Sequence, residues 1–513
     1  MSFFSLKLRE TCYNLTKNNP VTGNENSRGK YPTVYRSAAH IAAVCGLYLS
    51  LTMIVPAVID FQAGYASWKV FMRAGFFGGG LCLATAMATH EPMPPLSKRM
   101  GFLLVNLLWI SFCLIGALPL WLSSLNLSLA QAIFEAVSAV TTTGSTVIVG
   151  LDHVAPGVLL WRSMLQWFGG IGIVALGLFV MPFLRVGGIS FFRLESSDTN
   201  AKPFARIVSF LRALIVIYIA LTLLCSIAYR TLGMTQFDAI NHAMTTVATG
   251  GFSTHDASFG YYDRVGLLWA ATFFMTLCSL PFSILILFVV RRRVETLHDP
   301  QVTFFLVALA TLAVTLAVYH RLQNGVPFGE ALSLAFFSVA SILSTTGFAS
   351  GDYTAWGSFA IGLAFFATFM GGCSGSTAGG MKAYRIVIII NSFLPIVARI
   401  IYPNSVLAVR YGSTIVEPDT QRAVFIFFAT YFAIWALGSL CMAALGYDIA
   451  TSMSAVITAL SNVGPGVGPV VGPAGNFSTI SDPALAMLSI VMIMGRLEIL
   501  TVLVILTPVF WRN

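Results

Sequence analysis

Charge is scarce in this chain. Of 513 residues only 10% are Asp, Glu, Lys or Arg, while 57% are hydrophobic; a soluble domain carries roughly 25% charged residues. So few charges cannot keep a surface wet, which excludes a soluble enzyme and a disordered chain. Acidic residues are the scarcest, 20 against 29 basic, leaving a net charge of +9. The eight cysteines (Cys12, Cys45, Cys82, Cys113, Cys225, Cys278, Cys373 and Cys441) show no C-x-x-C spacing, and most sit in apolar runs. That excludes a disulfide framework or a zinc site and leaves small buried apolar side chains. The seven histidines are scattered without catalytic spacing, which argues against a membrane enzyme. The polar, basic first 35 residues are not followed by a short apolar core and a small-residue cleavage site, so no cleavable signal peptide is expected.

What the chain has in quantity is apolar length. Runs near 37–58, 70–89, 101–123, 158–184, 208–229, 265–290, 303–319, 357–370 continuing at 383–401, 421–446 and 484–509 predict about ten membrane spans. With the N-terminus in the cytoplasm and sides alternating, 22 of the 29 basic residues fall on the inner side. This is the positive-inside pattern, and it accounts for the basic balance without nucleic acid.

Between several spans lie segments too short and too small-polar to cross: 128–147, 237–254, 328–353 and 448–469. Each reads as a half-length helix followed by a Gly-containing, Ser/Thr-rich loop. About 12 helical residues rise roughly 18 Å, half a bilayer, so each segment is expected to enter and return on one side. Aligned on Gly144, Gly250, Gly347 and Gly464, the glycines recur at intervals of 106, 97 and 117 residues. A unit of helix, half-helix, loop and helix recurring about every hundred residues is an internal repeat. Four such units around an axis enclose one pathway. Irregular backbone at membrane depth is tolerated where it lines a water-filled path or is buried in protein. There its carbonyls can replace an ion's hydration shell. The partly negative C-terminal ends of four half-helices would favour a cation.

The loops TTTGST, ATGGFST, STTGFASGDY and SNVGPGVGP resemble those of the Trk/Ktr/HKT superfamily of potassium transporters, and within it the TrkH and TrkG membrane subunits. The resemblance runs from about residue 35 to the C-terminus. It implies an all-α polytopic membrane protein with four pseudo-symmetric helix–pore loop–helix repeats around one ion pathway, plus two N-terminal membrane helices. The implied division is a cytoplasmic segment 1–35, two extra membrane helices 36–95, and pore repeats at 96–192, 193–294, 295–415 and 416–513. It also implies a potassium-binding filter of Thr142, Thr143, Gly144, Ala248, Thr249, Gly250, Thr345, Thr346, Gly347, Asn462, Val463 and Gly464. Gly144, where sodium-preferring relatives tend to carry Ser, implies potassium preference. The fourth loop departs from the TTG form, so the filter is only approximately four-fold.

The third repeat's second span is interrupted by GGCSGSTAGG: Gly371, Gly372, Cys373, Ser374, Gly375, Ser376, Thr377, Ala378, Gly379 and Gly380. Half are glycines, which disfavours a continuous helix. The segment resembles the family's intramembrane gating loop, with Lys382 and Arg496 assigned to the gate. Gly375 and Gly380 have a P-loop interval, but Met381 precedes Lys382, Ala383 replaces the hydroxyl residue and no strand precedes, so a nucleotide site is excluded. Arg496 is an ionisable group inside an expected span, costly and therefore a functional candidate. It would donate to the 371–380 carbonyls, form an electrostatic barrier, or pair with Glu498. Gly169-Gly170 and Pro281 mark weaker breaks. Glu135 and Asp238 sit early in the expected half-helices, where they either favour the positive dipole end or attract cations at the mouth; His242 and His255 are assigned to structural roles, and Asp352 fits a cation-attracting mouth or a solvated loop equally.

The function the resemblance implies is potassium uptake across a bacterial inner membrane by a non-enzyme. The resemblance adds a homodimer and a cytosolic TrkA-type regulatory ring binding NAD or ATP. Potassium is the ion bound; this chain itself binds no nucleotide and no nucleic acid. Alternatives are a proton- or sodium-coupled potassium symporter and a less selective pathway of the same fold. Arg291–Arg293 and the 402–420 connection fit either regulator docking or orientation beside anionic lipid.

Overall fold

The computed structural model describes residues 31–92, 97–179, 203–291, 299–405, 407–468 and 470–511. The basic residues before Tyr31, those at 185–202 and the Arg292–Arg293 pair lie outside the described residues.

The chain is almost wholly helical. The N-terminal pair of spans comprises α1 (Tyr31–Thr52), its continuation α2 (Ile54–Gln62), and α3 (Trp68–Ala88). The first repeat is α4 (Lys98–Trp121), half-helix α5 (Leu129–Val140) and α6 (Pro156–Phe179). The second is α7 (Pro203–Thr231), half-helix α8 (Gln236–Val247), then α9 (Val265–Cys278) and α10 (Phe282–Arg291). The third is α11 (Pro300–Asn324), half-helix α12 (Phe328–Leu343), then α13 (Ser358–Phe369) and α14 (Ala383–Ile401). A two-residue-per-strand hairpin, β1 (Arg410–Tyr411) with β2 (Thr414–Ile415), precedes the fourth: α15 (Pro418–Ala444), half-helix α16 (Ile449–Ser461), α17 (Asp482–Arg496) and α18 (Ile499–Leu506), followed by the short α19 (Pro508–Trp511).

Among the described residues eight helices are long and apolar enough to cross a membrane, or ten spans if each of two bent pairs counts as one. Large apolar side chains such as Phe76, Leu81, Phe366 and Leu394 face outward, as they must in a protein solvated by lipid. Three of the four half-helices start at a side-chain cap. Ser128 and Gln131 form a capping box on α5, Thr235 Oγ1 accepts from Asp238 N at 3.1 Å, and Asp448 Oδ2 accepts from Thr451 N at 3.0 Å. Two large cores result. One joins the N-terminal helices to the first and fourth repeats; the other joins the second and third.

Two expected spans are not continuous. The run at 265–290 bends by 96° between α9 and α10, and the run at 484–509 bends by 113° between α17 and α18. At the first bend Pro281 cannot continue the hydrogen-bond ladder, and Phe282 N donates instead to Gly375 O of the third repeat at 2.9 Å. At the second, Glu498 takes φ 64°, a left-handed conformation that ends a helix. Arg496 is therefore the last residue of α17, at a break, and not in the interior of a straight span.

Candidate functional site: a ring of four loops above a broken level

Each half-helix ends in the same hydrogen-bonded turn. Thr142 N donates to Ala139 O and Thr143 N to Ser138 O; the matching pairs are Thr249–Thr246 and Gly250–Thr245, Thr345–Ile342 and Thr346–Ser341, and Asn462–Ala459 and Val463–Thr458. Thr142, Thr249, Thr345 and Asn462 all take positive φ between 50° and 56°, and two residues on, Gly144, Gly251, Gly347 and Gly464 take φ of 77–100°. This register corrects the alignment made on Gly250. The second repeat's equivalent of Gly144 is Gly251, and Gly250 corresponds to Thr143, Thr346 and Val463. Ala248 then corresponds to Thr141, Ser344 and Ser461, one step behind the left-handed residue.

The glycines face one another cyclically. A Cβ built on Gly144 would meet Gly250 O, one on Gly251 Thr346 O, one on Gly347 Val463 O, and one on Gly464 Thr143 O, each within 3.0 Å. The order runs from each repeat to the next and closes on the first. Only glycine permits both this approach and the positive φ. Four carbonyl oxygens, those of Thr143, Gly250, Thr346 and Val463, thus form a ring with the four glycines directly against it. All four glycines also line one cavity at the mouth, together with Arg162, Phe252, His255, Asp256 and Phe477.

Behind the ring the supports differ by repeat. Hydroxyl pairs Thr141–Thr143 and Ser344–Thr346, each 2.7 Å apart, brace the first and third loops. In the fourth, Tyr431 and Ser461 hydroxyls are 2.6 Å apart, and Asn462 Nδ2 donates to Thr143 Oγ1 and Met492 O, both at 3.0 Å. The second loop has neither hydroxyl; Gln166 of α6 occupies that place, donating Nε2 to Gly250 O at 2.5 Å and accepting from Phe252 N at 3.1 Å.

One turn before Gln166, Arg162 forms a buried pair with Glu135, Nε to Oε1 at 2.8 Å. Glu135 also accepts from Val147 N at 2.9 Å, and the guanidinium lies 4.0 Å over the Phe252 ring. Glu135 lies in the middle of α5, so its charge is held by Arg162 and not by the helix end assigned to it. Asp238 does sit in the first turn of α8 and accepts from Thr235 Oγ1 and Thr254 Oγ1. His242 is fully buried, with Nδ1 2.9 Å from Asp238 O and Nε2 3.0 Å from Ser253 Oγ. His255 in the loop above contacts Asp152 of the first repeat through Nδ1, with Nε2 3.5 Å from Asp238 Oδ2. Partial burial disfavours its cation, but the two carboxylates outweigh this and raise its pKa, while hydrogen bonding to His255 lowers that of Asp152. Asp352 caps the short turn Tyr353–Trp356, accepting from Thr354 N at 2.9 Å.

Beneath the ring, residues 371–380 form an irregular loop held at both ends by a bridge between Met370 and Met381. Among the described residues its hydrogen bonds reach every repeat but the first: Thr377 Oγ1 donates to Val247 O and Cys278 O, Gly379 N to Thr345 Oγ1, and Ser374 N to Gln301 Oε1. From the fourth repeat Arg496 Nη1 donates to Thr377 O at 2.9 Å. Lys382 Nζ folds back on Ala378 O, and Glu498 pairs with Arg385, not with Arg496. A cavity at this level is lined by Ser374, Gly375, Lys382, Arg385, Arg496 and Glu498, among others. Among the described residues no cluster of His, Cys, Asp or Glu could hold a transition metal or zinc.

Sequence reasoning missed Gly251, Gln166 and the Glu135–Arg162 pair. The register carried no local signal: Thr-x-Thr and Ser-x-Thr end directly before Gly144 and Gly347, but the matching positions before Gly251 are Ala248 and Gly250. Gln166 and Arg162 carried none either, because their partners are 84 and 27 residues away.

A sequence model of the TrkH family, described as a cation transport protein, matches residues 68–511. The chain is 43% identical to the Trk system potassium uptake protein TrkI of Halomonas elongata, over 92% of this chain and 96% of that protein. It is 33% identical to the Trk system potassium uptake protein TrkG of Escherichia coli K12, over 93% and 100%. Its fold matches the crystal structure of the potassium transporter TrkH from Vibrio parahaemolyticus with a TM-score of 0.86, at 33% identity, covering 93% of this chain and 100% of that one.

Proposed function

The chain belongs to the TrkH family of cation transport proteins, and is therefore a polytopic membrane transport protein and not an enzyme; from this membership we propose that it carries potassium into a bacterial cell across the inner membrane. The observation that carries the reading is the closed ring of four carbonyls, Thr143, Gly250, Thr346 and Val463, packed against four glycines in positive φ. Such oxygens replace an ion's hydration shell without a carboxylate, and the half-helix C-termini behind them favour a cation. The relatives TrkI and TrkG, known as potassium uptake proteins, support potassium as that cation.

In this reading Thr142, Thr249, Thr345 and Asn462 line the inner side of the filter, and the 371–380 loop with Arg496 and Lys382 closes the path beneath it. An inside-negative potential supplies about 2.3 kcal/mol per charge per 100 mV, enough to draw potassium inward without a second ion. Opening is assigned to a cytosolic TrkA-type ring that binds NAD or ATP, acting on a homodimer of this chain with its N-terminus in the cytoplasm. The resemblance to Trk membrane subunits supports these assignments, and the inner-side excess of basic residues supports the orientation.

The test is rubidium flux into proteoliposomes holding the full chain under an inside-negative potential. Flux that follows the potential, independent of pH and sodium, is expected. Absence of flux, even with the nucleotide-binding ring added, overturns the proposal. Flux that requires a proton or sodium gradient replaces it with a symporter.

A further inference from the structure

The four ring carbonyls are not equivalent. Among the described residues Gly250 O alone of the four accepts a side-chain hydrogen bond, from Gln166 Nε2 at 2.5 Å. Gln166 is fully buried, and its other amide atom accepts from Phe252 N two residues further along the same loop. Gly250 is glycine because of this contact: a Cβ there would fall within 3.0 Å of the Gln166 carboxamide carbon, oxygen and nitrogen. Where the first, third and fourth loops place Thr143, Thr346 and Val463, the second removes its own side chain and admits one from the neighbouring repeat.

We propose that Gln166 is a specificity-determining residue, which holds the Gly250 carbonyl at a fixed distance from the axis and so sets the preference of the ring for larger over smaller alkali cations. This rests on the filter reading above. The physical argument is a competition. Selection by carbonyls depends on their number, their field and how far they can close around an ion. A donor 2.5 Å behind Gly250 O draws on that oxygen's lone pairs and resists its movement inward. The bidentate use of one carboxamide on Gly250 and Phe252 fixes the whole strand segment, not one bond. A sodium ion needs shorter oxygen distances than potassium, so a carbonyl that cannot advance penalises sodium. Freed of Gln166, the second quadrant of the ring can close on the smaller ion.

The test is the potassium-to-sodium permeability ratio, read from reversal potentials of proteoliposomes holding the full chain. Gln166→Met keeps the length and loses the donor; Gln166→Glu also loses the donor and repels Gly250 O. Both are expected to lower the ratio by about threefold to tenfold, the worth of one neutral hydrogen bond. Where a variant carries no current, the potassium and sodium concentrations that half-protect the purified chain from thermal unfolding give the same comparison. Gly144→Ser, which alters the ring itself, is measured in parallel. A ratio unchanged in both Gln166 variants while Gly144→Ser shifts it overturns the role of Gln166 and leaves the filter standing. A ratio unchanged in all three overturns the filter reading as well.

Discussion

The loop ring and the level beneath it are built on opposite rules. At the ring the four repeats agree: one turn geometry, one left-handed residue, one positive-φ glycine, each glycine against the next repeat's carbonyl. Beneath it they disagree. The first repeat keeps a continuous α6 through Gly169-Gly170, the second bends by 96°, the third opens into the 371–380 loop, and the fourth bends by 113° beside Arg496. On the proposed function, the difference follows from what each level would do. Coordinating an ion needs several oxygens at one distance, which repetition supplies. Obstructing a path needs one element in the way, and a single differing copy suffices. Regulation can therefore be written into one repeat without disturbing selection in the other three.

The largest effect expected from breaking the symmetric level is at Gly251. Gly251→Ala places a Cβ on Thr346 O and forces a non-glycine residue to φ 77°, at a cost on the order of 1–3 kcal/mol for the backbone alone. Rubidium uptake in potassium-uptake-deficient cells should be nearly abolished with the chain still present in the membrane fraction. Gly250→Ala, at negative φ, displaces only the Gln166 carboxamide and should retain measurable uptake. If Gly250→Ala were the more damaging of the two, the register of the second repeat assigned here would be wrong.

A smaller, opposite effect is expected at the asymmetric level. The loop 371–380 is bonded to α8, α9, α11, Thr345 and Arg496 of α17, so deleting it would strip partners from three repeats at once. Arg496→Gln is the sharper probe. It removes a buried positive charge and the long reach to Thr377 O, and keeps the helix end. Basal flux should rise several-fold, roughly the change that 1 kcal/mol off a barrier produces, while the potassium-to-sodium ratio stays at its original value. A changed ratio with unchanged flux would place Arg496 in selection instead of obstruction.

The same contrast decides what the sequence could reveal. The spans, the four half-helices and the glycine-rich interruption were legible because each is a local pattern: an apolar run, a cap such as Ser128 or Asp448 before a short apolar stretch, a cluster of breakers. The second repeat's register was misread because ATGGF offers two glycines, and local pattern does not say which one meets Thr346 O. The bends were underestimated because their causes are partly remote. Pro281 is visible, but the acceptor that takes over the Phe282 N–H is Gly375 of another repeat, and Glu498 enters left-handed space beside its partner Arg385, 113 residues away. Gln166 was invisible for the same reason. Its role exists only once α6 lies against the second loop.

The smallest effect concerns how the symmetric level is tied together across repeats. His255, from the second loop, reaches Asp152 of the first and lies near Asp238 of α8; Tyr261 stacks on its ring at 3.6 Å, and Tyr262 meets it edge-on. His242, below, and Tyr262 are the other titratable neighbours of Asp238. The folded pKa of His255 is raised above its usual 6.5 because the carboxylates outweigh partial burial. A raised histidine pKa means the folded state binds the proton more tightly, so the stabilisation is full below about pH 6.5 and disappears as pH rises through the folded value. Asp152 is partly exposed, which screens the pair and keeps the gain small. Purified chain should lose on the order of 1 °C in Tm between pH 6 and pH 8.5 through this contact, and His255→Gln should flatten that part of the profile. The ring itself carries no titratable side chain, so the potassium-to-sodium ratio of the original chain should not follow this titration. A ratio that changed with pH in step with the loss of stability would mean that the cross-repeat tie, and not the ring alone, sets the spacing of the carbonyls.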